Sequence, residues 1–230
     1  MENRVCAVIL AAGSGSRMNQ ELTKQRLLID GKSVLLRSLE AFESSEDVSD
    51  IILVVRDDEM DFVLSETDGN FSKLRKIIHG GKTRFESAAL GFKAIDFPCQ
   101  LVAIHDAARC LVSGDMITKV VNDAAIYGAA SASSHVVDTV KRVDENGFIV
   151  CTEDRERLRL ASTPQVFRYD LYASALSRVD VNKTLPTDDN MLMELIGAKV
   201  YMTDVGSTNI KITYAEDKDL AEYLLERRDG

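Results

Sequence analysis

Apolar and polar positions follow one another along the chain in blocks that predict strands and helices in turn. Continuous apolar runs, typical of strands buried on both faces, lie at 5–10, 51–55, 76–78 and 101–104. Apolar residues at helical spacing predict helices at 33–42, 57–64, 83–95 and 113–126. Strands of this kind joined by helices predict a Rossmann-like three-layer α/β/α fold with a mostly parallel sheet.

The spacing of apolar residues changes after this region and predicts a protruding β-hairpin arm at about 136–158. Weak alternation over 138–143 meets the turn sequence Asp144-Glu145-Asn146-Gly147, and an apolar run follows. A hairpin this small is not stable alone, so we expect it to pack on something, for which a second subunit is one option. Further elements are predicted as helices at 169–176, 190–196 and 215–227 and as strands at 199–202 and 210–212. The whole chain, 1–230, is interpreted as a single domain.

Composition narrows the classes of partner. The 230 residues carry a net charge of −9, which disfavours a broad surface for nucleic acid or anionic membranes. The four cysteines show no metal-ligand spacing, which favours reduced thiols in the cytoplasm. No apolar run has the length of a membrane span, and no signal-peptide pattern is present.

The turn after the first predicted strand has the chemistry of a phosphate site. Gly13-Ser14-Gly15 allows backbone N–H groups to approach a ligand, and the cations Arg17 and Lys24 follow it. The dinucleotide fingerprint is not met, because Met18 stands where a third small residue is needed. The Gly-Lys-Ser/Thr of a P-loop is absent as well. These residues alone indicate a triphosphate site, with a ligand-free tight turn as the alternative.

Two further clusters follow predicted strands. Gly80-Gly81 with Ser87 predicts a loop that approaches the edge of a base closely, in addition to its role as a strand-to-helix turn. Asp106 ends a buried strand, where open α/β sheets place ligands, and its carboxylate suits Mg²⁺ beside a triphosphate. Arg109 is a candidate for a second phosphate, and His105 is interpreted as structural.

These motifs together carry a family resemblance. L-A-A-G-S-G-S-R-M followed by K-Q resembles nucleotidyltransferases that activate sugar or polyol phosphates. The same segments occur in order with G-G-K-T-R-F-E-S, H-D-A-A-R, D-T-V-K-R, S-T-P-Q-V-F, T-D-D and N-I-K-I-T between residues 10 and 213. The full set resembles the 2-C-methyl-D-erythritol 4-phosphate cytidylyltransferase family.

The resemblance implies a fold of the nucleotide-diphospho-sugar transferase type and a Mg²⁺-dependent transfer from CTP to a polyol phosphate, with release of pyrophosphate. It also implies a homodimer whose arms reach the neighbouring site. The matching CTP-binding positions are Ala11, Ala12, Gly13, Gly15, Gly81, Ser87, Asp106 and Ala107, with Asp106 also serving the metal. The matching catalytic positions are Arg17, Lys24, Arg155 and Lys211. The matching acceptor-binding positions are Arg109, Thr139, Arg155, Thr163, Thr187 and Lys211, of which Thr139 and Arg155 belong to the arm.

Several positions depart from the family pattern, and other functions stay open. The departures are Thr23, Arg26, Cys110 and the pair Asp189-Asn190. The last adjoins the expected polyol site, so ribitol 5-phosphate is the alternative acceptor. An NAD-dependent oxidoreductase is disfavoured by Met18 and by the lack of a clear acidic residue after a second βα strand. An inactive nucleotide-binding protein is disfavoured by the intact residues Arg17, Lys24, Asp106 and Lys211.

Overall fold

The computed structural model describes residues 4–13, 23–180 and 185–229. Its strands are β1 (Val5–Leu10), β2 (Leu28–Ile29), β3 (Lys32–Ser33), β4 (Val48–Val55), β5 (Leu74–His79), β6 (Leu101–Asp106), β7 (Ala129–His135), β8 (Lys141–Val143), β9 (Ile149–Thr152), β10 (Arg159–Arg168) and β11 (Tyr201–Asp204). Its α-helices are α1 (Val34–Ser44), α2 (Met60–Thr67), α3 (Arg84–Lys93), α4 (Gly114–Tyr127), α5 (Tyr169–Arg178), α6 (Asp189–Leu195) and α7 (Asp217–Asp229). Short 3₁₀ turns precede α2 and β10.

A seven-stranded sheet forms the centre, in the order β11-β7-β10-β6-β1-β4-β5. Strand β1 pairs in parallel with β4 and β6, and β7 pairs in parallel with β11. Strand β10 runs antiparallel between β6 and β7. Because Leu10 and Asp106 are register partners, β1 and β6 end side by side at the same edge of the sheet.

Helices cover both faces of this sheet, and β1 shows why. Val5, Ala7 and Ile9 face one core cluster, which contains the inner sides of α1 and α4. Cys6 and Val8 face a second cluster, which contains the inner sides of α3, α5 and α6. A strand buried on both faces needs apolar residues throughout, which is the pattern that its sequence shows. The predicted three-layer α/β/α arrangement is therefore confirmed.

Helices α1 and α3 begin at side-chain caps. Ser33 accepts a hydrogen bond from the Leu36 N–H at the start of α1. Thr83 and Glu86 form a reciprocal capping box at the start of α3. Such caps satisfy N–H groups that the helix itself leaves without partners, and they fix where each helix begins. In α3, this places Arg84 at the first helical position.

The hairpin arm lies between β7 and β10. Strands β8 and β9 pair with each other in a separate two-stranded sheet, and the turn over Asp144 and Gly147 closes them. The strands differ from the sequence prediction in two ways. Strands β7 and β10 and the short pair β2 and β3 were not predicted. The predicted strand at 210–212 is wrong, since this segment is coil.

No helix in the described ranges combines the length and the apolar character that crossing a bilayer requires.

Candidate active site

A cavity of about 260 Å³ opens at the edge of the sheet where β1 and β6 end. Residues from the β1 turn, the α3 start, the β6 end and the segment before α7 surround it. Its lining is Leu10, Ala12, Gly13, Lys24, Gln25, Lys82, Thr83, Arg84, Ser87, Asp106, Ala108 and Lys211. Within the described residues, four cationic side chains and one carboxylate thus line the cavity, which suits a polyanionic ligand.

Asp106 occupies the centre of this charge cluster. Arg84 Nε donates to its Oδ1 across 2.8 Å, and Lys211 Nζ donates to its Oδ2 across 2.6 Å. Burial by itself raises the pKa of Asp106, but the two nearby cations outweigh this, so its pKa lies well below the usual range. Asp106 is therefore a carboxylate at neutral pH, with both oxygens engaged.

Arg84 connects this carboxylate to a second one, Asp189 at the start of α6. Its Nη1 donates to Oδ2 of Asp189 across 2.6 Å, and the Tyr172 hydroxyl donates to Asp189 Oδ1 across 2.5 Å. Burial lowers the pKa of Arg84, yet the charges of Asp189 and Asp106 raise it further, so the guanidinium is permanently charged. Sequence reasoning did not select Arg84, although it stands in the G-G-K-T-R segment as the first residue of α3.

The Gly80-Gly81 turn lies against the β1 turn with no room for a larger residue. A Cβ at Gly80 would lie 2.4 Å from Ala12 Cβ and 2.9 Å from Ser87 Oγ. Ser87 Oγ accepts from the Gly81 N–H and donates to the Thr83 carbonyl. The hydroxyl therefore stabilises the turn. Gly81 and Ala12 also line a neighbouring open concavity together with Lys82.

Thr163 and His105 form a buried layer behind Asp106. Thr163 Oγ1 accepts from the Asp106 N–H across 3.1 Å and lies 3.1 Å from His105 Nδ1. Burial lowers the pKa of His105 to about 3, so its ring is neutral, and it packs against Phe42. The structural role predicted for His105 agrees with this position.

Several predicted ligand positions lie beside the cavity without lining it. Ala107 is buried, its N–H donates to the Leu10 carbonyl, and its own carbonyl accepts from Ser38. Ala11 is also buried, and its N–H donates to Val54. Arg109 Nη1 donates to the Asn209 carbonyl, and burial lowers the Arg109 pKa. The ligand roles of these residues and of Thr163 stay predictions.

The remaining predicted acceptor residues are exposed and do not line this cavity. Thr139 and Arg155 lie on the arm, where Arg155 Nη1 donates to the Val137 carbonyl across 2.6 Å. Thr187 precedes α6, with its Oγ1 4.0 Å from Met191 Sδ. The predicted residues that the cavity does bring together are Ala12, Gly13, Lys24, Ser87, Asp106 and Lys211. Gly15 and Arg17 lie outside the described residues.

The positions that depart from the family pattern have defined partners. Arg26 Nε forms an ion pair with Glu59 Oε2 across 2.9 Å and lies over the Phe62 ring. Cys110 is buried in the apolar cluster beneath α7, and burial raises the pKa of its thiol to about 11. Asn190 Nδ2 donates to Ser131 Oγ. Thr23 Oγ1 is buried without a hydrogen-bond partner among the described residues.

The residues present fit a divalent cation that takes most of its ligands from a bound nucleotide. Within the described ranges, no group of three or more His, Cys, Asp or Glu side chains could hold a metal by itself. Asp106 offers one anionic carboxylate at the cavity. Mg²⁺ is commonly held by one or two carboxylates together with phosphate oxygens and water.

Comparison with known proteins gives a consistent result. The family model described as 2-C-methyl-D-erythritol 4-phosphate cytidylyltransferase (IspD) matches residues 5–227. Proteins of that name from Clostridium botulinum (strain 657 / Type Ba4) and Clostridium perfringens (strain SM101 / Type A) are 38% and 39% identical to this chain. The first alignment covers 96% of each chain, and the second covers 97% of this chain and 99% of the relative. The crystal structure of 4-diphosphocytidyl-2C-methyl-D-erythritol synthase from Anaerococcus prevotii DSM 20548 superimposes with a TM-score of 0.88 at 28% identity, covering 98% of this chain and 100% of that one.

Proposed function

The chain belongs to the 2-C-methyl-D-erythritol 4-phosphate cytidylyltransferase family, and from that premise we propose that it transfers the cytidylyl group of CTP to 2-C-methyl-D-erythritol 4-phosphate. The products are 4-diphosphocytidyl-2-C-methyl-D-erythritol and pyrophosphate, and the product serves isoprenoid precursor synthesis by the non-mevalonate route. Family membership leaves the oxidoreductase alternative without support. The structural observation that carries the proposal is the cation-lined cavity around Asp106 at the carboxyl ends of β1 and β6.

The nucleotide half of the site is the cavity between the β1 turn and the α3 start. Gly13 and the Gly80-Gly81 turn let the backbone approach the ligand closely, and Lys24 and Lys82 add positive charge. Arg17 joins this half by its place in the sequence motif. Ala12 and the crowded Gly80 limit the space for the base, which favours a pyrimidine over a purine.

The reaction needs alignment and charge compensation more than it needs a base. The second pKa of a phosphate monoester is about 6, so the acceptor phosphate is largely dianionic near neutral pH. One of its oxygens forms a bond to the α-phosphorus of CTP, while the bond between that phosphorus and the bridging oxygen to the β-phosphate breaks. Pyrophosphate leaves with the electron pair. Lys24 and Arg17 stabilise the charge that develops on it, and Lys211 and Arg155 orient the acceptor phosphate.

A divalent cation, Mg²⁺, completes the proposed site. Asp106 would hold it, together with oxygens of the triphosphate. When bound, the ion neutralises phosphate charge and polarises the phosphoryl oxygens. Asp106 is suited to this role because its low pKa keeps it ionised throughout the neutral range.

The acceptor half of the site is proposed to be shared between two subunits of a homodimer. Apolar side chains of the arm are unusually exposed, with Val137 at 77% and Phe148 at 72%. Exposed apolar surface of this kind is typical of protein contacts, and a lone two-stranded hairpin needs such packing for stability. A neighbouring protomer would bury this surface and bring Thr139 and Arg155 to the partner's cavity.

The four cysteines are free thiols, which agrees with a reducing cytoplasm.

Pyrophosphate release tests the proposed reaction. The purified protein is assayed with each of the four ribonucleoside triphosphates, in turn with 2-C-methyl-D-erythritol 4-phosphate and with ribitol 5-phosphate. We expect pyrophosphate release with CTP and 2-C-methyl-D-erythritol 4-phosphate. We expect the removal of Mg²⁺ to abolish this release. Release with ribitol 5-phosphate alone contradicts the acceptor, and release with another nucleotide in place of CTP contradicts the donor.

A further inference from the structure

The two oxygens of Asp106 are held by two cations that differ in how they are anchored. Oδ1 is bound by Arg84, whose side chain is 27% exposed, and Oδ2 is bound by Lys211, whose side chain is 41% exposed. Each partner accounts for one oxygen of the carboxylate. Any further ligand of Asp106 must therefore displace one partner or crowd against it.

Arg84 is anchored at a second point. Its Nη1 bonds Asp189 Oδ2 at 2.6 Å, and Asp189 is 1% exposed. Asp189 is itself fixed by the buried Tyr172 hydroxyl and by a hydrogen bond from its own N–H to Gln165 Oε1. The planar guanidinium thus bridges two carboxylates, an arrangement that an ammonium group cannot reproduce. Releasing Arg84 from Asp106 would leave charge uncompensated at a largely buried position, which is costly.

Lys211 has no second anchor of this kind within the described ranges. The neighbouring Ile212 N–H donates to the Ala108 carbonyl, which fixes the backbone beside the cavity. Among the residues that the structure describes, the Lys211 ammonium makes one hydrogen bond, to Asp106 Oδ2, at the end of a flexible side chain. It can leave Asp106 by side-chain rotation, without a change in the fold.

We propose that Arg84 is a positioning residue that keeps Oδ1 of Asp106 engaged, so that Lys211 and a divalent cation compete for Oδ2. Binding of the cation releases the Lys211 ammonium toward the acceptor phosphate. This inference rests on the proposed nucleotide site at Asp106 and extends it with an exchange of partners. It assigns Arg84 a role in that exchange through its effect on Asp106.

Charge balance supports the direction of the exchange. Arg84 and Lys211 together match the two carboxylates Asp106 and Asp189. When a divalent cation takes the place of Lys211 on Oδ2, the displaced ammonium becomes a surplus positive charge inside the cavity. A phosphate dianion is the ligand that best compensates it. Cation binding and acceptor binding are therefore coupled, and each strengthens the other.

Chemical labelling of lysine tests the exchange directly. Lys211 is acylated with acetic anhydride at fixed pH, with EDTA or with Mn²⁺, in the free protein and in the protein saturated with CTP. Mass spectrometry then gives the ratio of Lys211 modification to that of Lys119, an exposed residue of α4 that does not line the cavity. Bound Mn²⁺ is measured by electron paramagnetic resonance. We expect Mn²⁺ to raise the ratio about threefold or more, because the ammonium loses its ion pair. An unchanged ratio in both states overturns the exchange.

Variants of Arg84 test its positioning role. In Arg84→Gln, Oδ1 of Asp106 is open while Lys211 stays on Oδ2, so Mn²⁺ and Lys211 bind together and the rise in labelling is expected to fall below half. Arg84→Lys keeps the charge but cannot bridge both carboxylates, so we expect a similarly reduced rise. A full rise in these variants overturns the role of Arg84. Circular dichroism establishes that each variant is folded, and if the Gln variant does not fold, the Lys variant decides.

Arg75→Gln is the matched control. Arg75 also forms an ion pair with a buried carboxylate, Asp50, near the start of β4 and far from the cavity. We expect it to show the full Mn²⁺-dependent rise. Labelling requires no turnover, so it tests the exchange of partners at Asp106 independently of the pyrophosphate assay. A protein that shows the exchange but releases no pyrophosphate contradicts the proposed function alone.

Discussion

Lys211 stands 105 residues after Asp106 in the chain, and its Nζ lies 2.6 Å from Asp106 Oδ2. The contact forms because β6 delivers Asp106 to the edge of the sheet, while the bond from Ile212 to Ala108 holds the later segment beside it. A carboxylate placed between Lys211 and Arg84 makes both the stability and the ligand chemistry of this edge depend on its ionisation.

Asp106→Asn is expected to change the pH dependence of stability. The folded-state pKa of Asp106 lies below the unfolded value of about 3.9, so its ion pairs stabilise the protein above that pH. This contribution is lost as pH falls through the folded pKa. Since Asn resembles the protonated carboxyl, we expect the free energy of unfolding to drop by about 1 kcal/mol or more near pH 7. The deficit shrinks below about pH 4.

Urea unfolding at a series of pH values measures this difference. Asp61→Asn changes an exposed residue of α2 and serves as the control, with a small effect throughout. A deficit for Asp106→Asn that stays constant from neutral to acid pH would show that the ion pairs of Asp106 do not stabilise the fold.

Gly80→Ala is expected to weaken nucleotide binding. The added methyl group would meet Ala12 Cβ at 2.4 Å and Ser87 Oγ at 2.9 Å, so one of the two turns that form the cavity must move. We expect a stability loss of about 1–3 kcal/mol and a rise in the KM for CTP of roughly tenfold. Gly114→Ala is the control, because nothing lies within 4 Å of the added group at the start of α4. Equal KM values for the two variants contradict the packing argument.

The sequence pattern predicts the strands that are apolar throughout and fails where small residues form a strand. Strands β1, β4 and β6 are buried on both faces and are evident from their apolar runs. Strand β7 reads Ala-Ala-Ser-Ala-Ser-Ser-His, whose residues have low strand preference. It is a strand because β10 and β11 pair with its two edges.

The predicted strand at 210–212 fails for the opposite reason. Ile210 and Ile212 are buried more than Lys211, so the pattern alternates as in a strand. The Ile212 N–H bonds the Ala108 carbonyl, but no ladder of such bonds forms.

Within the site, the cations next to glycine turns were predictable from motifs. The Arg84–Asp189 ion pair was not, because its partners are 105 residues apart and meet only through the fold.

His105→Gln is expected to reduce the loss of folding stability that occurs as the pH falls below neutral. The pKa of His105 falls from an unfolded value of about 6.5 to about 3 in the buried site, so the neutral ring stabilises the fold above about pH 6.5. This contribution is lost progressively as pH falls toward the folded value, and it amounts to about 4–5 kcal/mol across that range. Gln keeps a polar group for Thr163 without a charge.

Denaturation between about pH 7 and pH 4 checks this prediction, with His135→Gln as the exposed control. The slope of stability against pH should fall in His105→Gln and stay near the wild-type slope in the control. Equal slopes in the two variants contradict the buried, neutral state of His105.

Lys24→Ala is expected to lower kcat more than it changes KM. Lys24 lines the cavity, and a cation that meets the departing pyrophosphate stabilises the transition state more than bound CTP. Loss of such a group typically lowers kcat by roughly 100-fold. Steady-state kinetics with CTP measures the effect, and Lys119→Ala on the exposed side of α4 is the control. A higher KM with unchanged kcat would place Lys24 in ground-state binding only.

Arg155→Ala should act on the neighbouring subunit, because Arg155 lies on the arm and not on the cavity of its own chain. In a heterodimer of Arg155→Ala and Lys24→Ala, exchange of arms leaves one site with an intact Lys24 and an intact Arg155. We expect heterodimers, purified with two different affinity tags, to show roughly half of the wild-type activity while both homodimers are nearly inactive. Heterodimers of Lys24→Ala and Lys211→Ala are the control, since both residues line the cavity of one chain and no intact site can form. Activity as low as that control would mean that each arm serves its own chain.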